Sequence, residues 1–476
     1  MKSHHRITTL VIVLVIIGLA ITLHISQNIA FEVIPFSVHE AKAIKHKTSP
    51  NASHALTSSN ETNRIPYSSQ SNTASPGGCI NYNPSTRTIT VSCSSPARLT
   101  DIANKLMDIT VLTKQSPDGT WFLSANLVIA KGASFSIDST DTKWLKISSE
   151  KATAGAVSPL PYNIDVHGSL KIDSVKVTSW DPATNNYSIT NGSREAVSPG
   201  TKGATANGYI IHFGAPRPFI KVEHDATGTT DIANSEIGYL GYESGSTSNI
   251  GSGGLNYYGG NGSVIRGNNI HDLYFGFYSS AVGHLIIENN QVYNNANYGL
   301  DPHTGTHDMI IRHNVVHDNG AHGIICSLNC YNVLIENNQL YHNGKAAIMF
   351  SRNMSNSIAR NNIISSEADG ILVSQSNNNK IYNNTISNSQ YGIMVIFGSS
   401  GNTFYSNIIK NCSHGIYSQA TSNNSNNTFY NNQLINSPSA ISGLQNNKPS
   451  SDIAKNHNVK LHSHHTHHQN ILKSPN

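Results

Sequence analysis

A glycine or alanine that returns about every 23 residues, an asparagine turn that keeps the same time, and apolar side chains that alternate after each small residue predict an all-β chain. Together they describe a right-handed parallel β-helix, a solenoid with coils of about 23 residues. The small residues are Gly276, Gly299, Gly323, Ala347, Gly370, Gly392, Gly415 and Ala440, at separations of 23, 24, 24, 23, 22, 23 and 25. The turns fall at Asn269, Asn290, Asn314, Asn338, Asn362, Asn384, Asn407 and Asn432. Asparagines at successive turns can stack and bond up the column. A leucine-rich repeat has a similar length, but it needs periodic leucine and a helical half-unit, and neither is present.

Composition agrees. Charged residues are only 12 % of 476, poor material for amphipathic helices but suited to short strands and polar turns. The net charge is +4, and 24 histidines raise it below about pH 6.5. A weakly basic surface fits an anionic partner. No dense Lys/Arg run interleaved with aromatics points to nucleic acid.

Lys2 and Arg6 precede an apolar run of 14 residues from Leu10 to Leu23, the order of an export signal. That run is short of the roughly 20 residues of a spanning helix. Stretched from Ile7 to Ile25 it reaches 19, so cleavage and retention as an anchor both stay open. The reading divides the chain into a signal or anchor (1–30), a Ser/Asn/Thr-rich flexible linker (31–78), an N-terminal β section (79–205), the β-helix proper (206–443) and a His-rich disordered tail (444–476). An extracellular or cell-surface monomer is expected, with the membrane involved only through the N-terminal segment. Cys79 and Cys93 flank a hairpin-like stretch around Asn83-Pro84-Ser85, which suits a disulfide in an exported protein. Cys326-x3-Cys330 lacks the second pair a zinc site needs, so a local disulfide or two core thiols is the expectation. In the N-terminal section, short strand-like runs include Ile109–Leu112, Asn126–Ile129 and Trp144–Ile147.

Alternation assigns faces within the repeat. The first residue after each small one is Phe277, Leu300, Ile324, Ile348, Ile371, Ile393 or Ile416, and the third is Ser279, Pro302, Cys326, Phe350, Val373 or Val395. Both sets point inward, so the second and fourth point out. In the coil of Gly299 these are Asp301 and His303. The fourth position of neighbouring coils holds Ser280, Ser327, Ser351 and Ser374, which leaves room beside His303. The residue preceding the glycine is Tyr298 in one coil and His322 in the next. With coils about 4.8 Å apart these two become lateral neighbours. Tyr298, Asp301, His303 and His322 thus form a general acid–base group on one face. Arg217, Arg312, Lys345 and Arg352 supply cations for binding an extended anionic chain.

The stretch Tyr298-Gly299-Leu300-Asp301-Pro302-His303 resembles the D-P-H signature of the mannuronan C5-epimerases, above all the single-module periplasmic kind. The resemblance covers residues 205–353. It is carried also by Gly238-Tyr239-Leu240-Gly241-Tyr242, Leu273-Tyr274-Phe275-Gly276-Phe277-Tyr278 and His322-Gly323-Ile324-Ile325. It implies that Tyr298 and His303 exchange protons at C5 of a uronic acid and that Asp301 assists binding. Two departures stand out. Thr304 follows the motif where the family often has an acid, and Leu328 follows Ser327 where the periplasmic enzymes soon place an arginine, so Arg352 or Lys345 would have to substitute. The chemistry implied is inversion of mannuronate to guluronate in an alginate-like polyuronate. The alternatives are a lyase that eliminates on the same polymer and a non-catalytic carbohydrate-binding protein of the cell surface. No cofactor is required. Ca2+ stays open as an accessory ion, but no G-G-x-G-x-D repeat supports it.

Overall fold

Each coil contributes one short strand to each of three long sheets of 14, 12 and 14 strands, which are parallel except for an antiparallel first pair in each of the two 14-stranded sheets. In one coil the strands are Leu300–His303, Ile310–Arg312 and Val315–His317, and the next coil begins at Ile324–Ser327. The computed structural model describes residues 78–149, 161–189, 216–243, 253–419 and 424–437. It describes the backbone alone of Ser193–Ala196, Tyr209–His212, Ser439–Ser442, Lys448–Ser450 and Ile453–Lys455. The apolar N-terminal run, the linker and the histidines of the tail lie outside the described residues. Among the described residues no helix is long and apolar enough to cross a membrane.

The periodic small residues follow from how closely the coils approach. A Cβ on Gly299 would meet the Gly323 carbonyl oxygen at 2.6 Å, and one on Gly276 would meet that of Gly299 at 2.4 Å. The inward positions behave as alternation requires: Phe277, Leu300, Ile324, Ile348, Ile371, Ile393 and Ile416 are all fully buried.

The turns are held by asparagine columns. The Asn290 side chain donates to Asn314 Oδ1 at 2.9 Å and to the Ile265 carbonyl at 2.9 Å. The pattern repeats through Asn338, Asn362, Asn384, Asn407 and Asn432. The residue before each, such as Asn289, His313, Asn337 and Asn361, has φ between 55° and 58°, a conformation asparagine tolerates well. This explains the recurrent Asn-Asn pairs. The column begins at Asn268 rather than Asn269, because only Asn268 turns inward to bond Asn290. A second column, Asn295–Asn319–Asn343, ends on the Glu367 carboxyl, which burial pushes up to about 8.

The strands of the section before residue 206, such as Asn126–Ile129 and Trp144–Ser148, belong to the same long sheets as those after it. Other expectations change. The run expected as a strand from Ile109 begins at Leu112, and Ile109 is 76 % exposed. An α-helix, Leu99–Leu106, packs Leu99 and Ile102 against the first strands. Eight residues with two buried positions are too few for a periodicity signal in so polar a chain. The coils also run past 443, because Lys448–Ser450 and Ile453–Lys455 pair with Thr428–Tyr430 and Gln433–Ile435. Cys79 and Cys93 form a disulfide joining the ends of an antiparallel hairpin. Cys326, Cys330 and Cys412 are free and buried.

If the columns fix the turns, Asn338→Ala should lower stability by at least about 2 kcal/mol, since it leaves the Ile311 carbonyl and the Asn314 amides unpaired in a buried setting. Asn81→Ala, on an exposed strand position, should be near neutral. Urea denaturation of the two variants gives the comparison, and equal midpoints would contradict the assignment.

Candidate active site

Tyr298, Asp301, His303 and His322 all come from the first sheet or the residue that enters it. Register sets Tyr278 beside Asp301, Ser280 beside His303 and Ser327 on the other side of His303. Pro302 has no N–H to give the ladder, and pairing with the next coil is recorded only at Leu300 and His303. The Tyr298 ring lies 5.5 Å from that of His322 and 5.5 Å from that of Phe275, so the expected lateral pair is present.

Asp301 points to the outer face, yet it is only 3 % exposed. Tyr278, itself buried, flanks it, and its Oδ1 has no hydrogen-bond partner among the described residues. Burial pushes this carboxyl well above the usual carboxylate range, and the Arg352 charge opposes that only in part. The neighbouring thiols of Cys326 and Cys330 are likewise raised, mainly by burial.

His303 is held at both ring nitrogens. Arg352 Nη2 lies 2.9 Å from Nε2, and Thr304 Oγ1 lies 2.6 Å from Nδ1. A guanidinium can only donate, so Nε2 accepts and Nδ1–H donates to the threonine. Burial, followed by the Arg352 charge, lowers the His303 pKa to about 4. The two departures from the motif thereby gain a physical account. Thr304, at the position where the motif often has an acid, offers its hydroxyl oxygen to Nδ1. Arg352, two coils on from His303, reaches back to it and also donates to Ser327 Oγ from Nε at 2.9 Å and Nη2 at 2.7 Å. The space left by the small side chain of Ser327 therefore holds a guanidinium.

His322 is 7 % exposed, and its Nδ1 accepts the Ala346 backbone N–H at 3.2 Å. The ring therefore carries its proton on Nε2. Burial and then the Lys345 charge lower its pKa to about 4. Lys345 is exposed at the edge of this face.

The other two cations are elsewhere. Arg217 is 3 % exposed, and its guanidinium donates to the carbonyls of Gly241 at 2.7 Å, Leu240 at 3.0 Å and Ser188 at 3.4 Å. It clamps backbone and does not face the groove; burial brings its pKa down to about 9, and the charges of Asp272 and Tyr239 oppose that only in part. Arg312 belongs to the second sheet and pairs with Glu288 at 2.7 Å. Sequence spacing placed it near His303, but the chain turns a corner between them. Reasoning from sequence missed Tyr278; the register of Tyr278 with Asp301 could have revealed it, since both sit two positions after a repeat glycine. Among the described residues no group of three His, Cys, Asp or Glu side chains is arranged to hold a metal ion.

Residues 220–330 and 325–459 match the model of the right-handed β-helix region, together half of the chain, and the chain belongs to that family. No curated protein matches it in sequence. Among solved structures it is similar to the periplasmic alginate epimerase AlgG, at 21 % identity over 77 % of this chain and 85 % of that one, with a TM-score of 0.62. The A-module of the Azotobacter vinelandii mannuronan C-5 epimerase AlgE6 matches at 14 % identity over 71 % of this chain and 88 % of that one, with a TM-score of 0.38. At these identities the AlgG likeness establishes the fold, and the AlgE6 score adds no argument.

Removing the Arg352 charge should raise the His303 pKa from about 4, while leaving it below the ordinary 6.5 because burial is the larger cause. An NMR titration of the His303 ring in Arg352→Ala reads this directly. An unchanged or lower value would contradict the contact.

Proposed function

We propose that this chain is an exported polyuronate C5-epimerase, an isomerase that converts mannuronate to guluronate within an alginate-like polymer. The observation that carries the reading is the Arg352–His303 contact beside the buried Asp301 carboxyl, whose Oδ1 has no hydrogen-bond partner among the described residues. The D-P-H resemblance and the fold shared with a periplasmic alginate epimerase support it.

The C5 proton of a uronic acid is weakly acidic because the neighbouring carboxylate is already charged. Lowering the barrier requires that charge to be neutralised as the proton leaves. Arg352 can pivot from His303 Nε2 to the sugar carboxylate. Asp301, favoured as the neutral acid by its burial, donates to the same carboxylate where an ionised aspartate would repel it. The pivot frees Nε2, and the neutral His303 imidazole takes the C5 proton. Tyr298 O–H delivers a proton to the opposite face of the planar intermediate, and His322 Nε2–H orients the Tyr298 side of the site. One proton leaves C5 and one arrives, so the sugar is inverted without net change. His303 and Tyr298 then re-equilibrate with solvent.

Proton NMR of polymannuronate incubated with the full chain in deuterated water tests the reading. It predicts new guluronate signals and deuterium at C5, with His303→Ala slower by at least about 100-fold. New double-bond signals would mean elimination, and no change would sink the proposal. The base must be neutral, and His303 is neutral above its own pKa. The acid limb of kcat/KM should therefore lie near pH 4. A limb near the ordinary histidine value of 6.5 would instead remove His303 from the role of base.

A further inference from the structure

The Tyr-Gly and His-Gly pair of the candidate site recurs farther along the same sheet. Tyr298-Gly299 and His322-Gly323 are followed by Tyr391-Gly392 and His414-Gly415. The strands Asp369–Ser374, Tyr391–Ile396 and His414–Ser418 lie side by side, with Asp369 in register with Tyr391 and Tyr391 with His414. Measured from the Asp301 strand this group lies three to five coils away, on the order of 15–25 Å.

The second group differs from the first in ways that bear on chemistry. Where the first has Asp301 and His303, this one has Met394 and Ile396, and its three strands contain no lysine or arginine. These strands therefore carry neither a cation nor a counterpart of His303. What it has is an apolar floor on the outer face of the sheet. Leu372 and Ile396 pack there with Met349, Met394 and Tyr417. Above it stands an aromatic corner. The Tyr391 and His414 rings stack at 4.6 Å, and the Tyr417 ring stands across them, 5.5 Å from Tyr391 at 56° and 6.4 Å from His414 at 62°.

Two polar groups in this corner want partners. His414 Nδ1 is buried and has no hydrogen bond among the described residues, whereas the matching nitrogen of His322 accepts a backbone N–H. Asp369 is half-buried and forms no ion pair among the described residues, and the loss of solvent raises its pKa. An apolar floor, a crosswise aromatic face and a few convergent polar groups make up the usual composition of a sugar subsite.

We propose that Asp369, Tyr391, His414 and Tyr417 form a second saccharide-binding subsite, which holds a ring of the polymer by its apolar face and its hydroxyls rather than by a carboxylate. The absence of a cation from these three strands and the unpaired Asp369 set that preference. The subsite rests on the epimerase reading only in taking the same polymer as its natural ligand. Neutral sugars, or uronates presenting their hydroxyl edge, fit it. A bound chain spanning both sites would be held in register while the residue over Asp301 reacts.

The test is calorimetric binding of mannohexaose, a neutral hexasaccharide, to the full chain. Wild type should bind, Tyr417→Ala and Asp369→Leu should each weaken binding at least about tenfold, and Asn81→Ala, an exposed position on the first strand of the sheet and outside both sites, should bind as wild type does. Tyr417→Phe, which keeps the ring, should retain most of the affinity, and thermal melting confirms that each variant is folded. No binding by wild type, or equal binding by wild type and both subsite variants, overturns the proposal. The outcome is separate from that of the epimerase reading. Neutral-sugar binding without C5 exchange would keep the subsite and remove the epimerase, and C5 exchange without neutral-sugar binding would do the reverse.

Discussion

Coil-to-coil backbone contact is the constraint on which the rest of the molecule depends. The carbonyl of Gly323 sits where a side chain on Gly299 would begin, and the same closeness recurs at Gly276, Gly323, Gly370 and Gly392. At that spacing any residue stands directly over its counterpart in the next coil. The inward column becomes a continuous apolar core, the turns become hydrogen-bonded asparagine columns, and the outward columns become rows of aligned side chains. Rigid rows suit chemistry that needs groups placed to within a fraction of an ångström.

The candidate site uses that alignment to bring together groups from four coils: Tyr278, then Tyr298 with Asp301 and His303, then His322 with Ser327, then Arg352. Burial is the dominant influence on its electrostatics. It raises Asp301 and lowers both histidines, so each is biased toward its neutral form. Arg352 is the cation in direct contact with His303, and it is poised between that ring and the open groove. Such a surface can accept an anionic sugar without setting a fixed negative charge against it.

Much of this was legible in the sequence because a solenoid converts spacing into position. The period gave the fold, alternation gave the inward column, and adjacency of coils gave the Tyr298–His322 pair. What failed has equally physical causes. Asp301 faces outward as alternation requires, but its burial depends on the bulk of Tyr278 next to it, which alternation alone does not show. Arg312 is near in sequence but lies around a corner, on another sheet. Arg217 reads as surface charge, yet its chain enters at a point where three backbone carbonyls surround it. Arg352 shows the opposite effect: it is 49 residues from His303 in the chain and in hydrogen-bond contact with it, because it lies just two coils away.

The proposed chemistry turns on Asp301 being a neutral acid when the anionic sugar arrives. Infrared difference spectroscopy of wild type against Asp301→Asn at neutral pH tests it most directly, with Glu367→Gln run alongside because that buried carboxyl, at about 8, also holds a proton. Asp301→Asn should remove a protonated-carboxyl band distinct from that of Glu367. Loss of an ionised-carboxylate band in its place would contradict it.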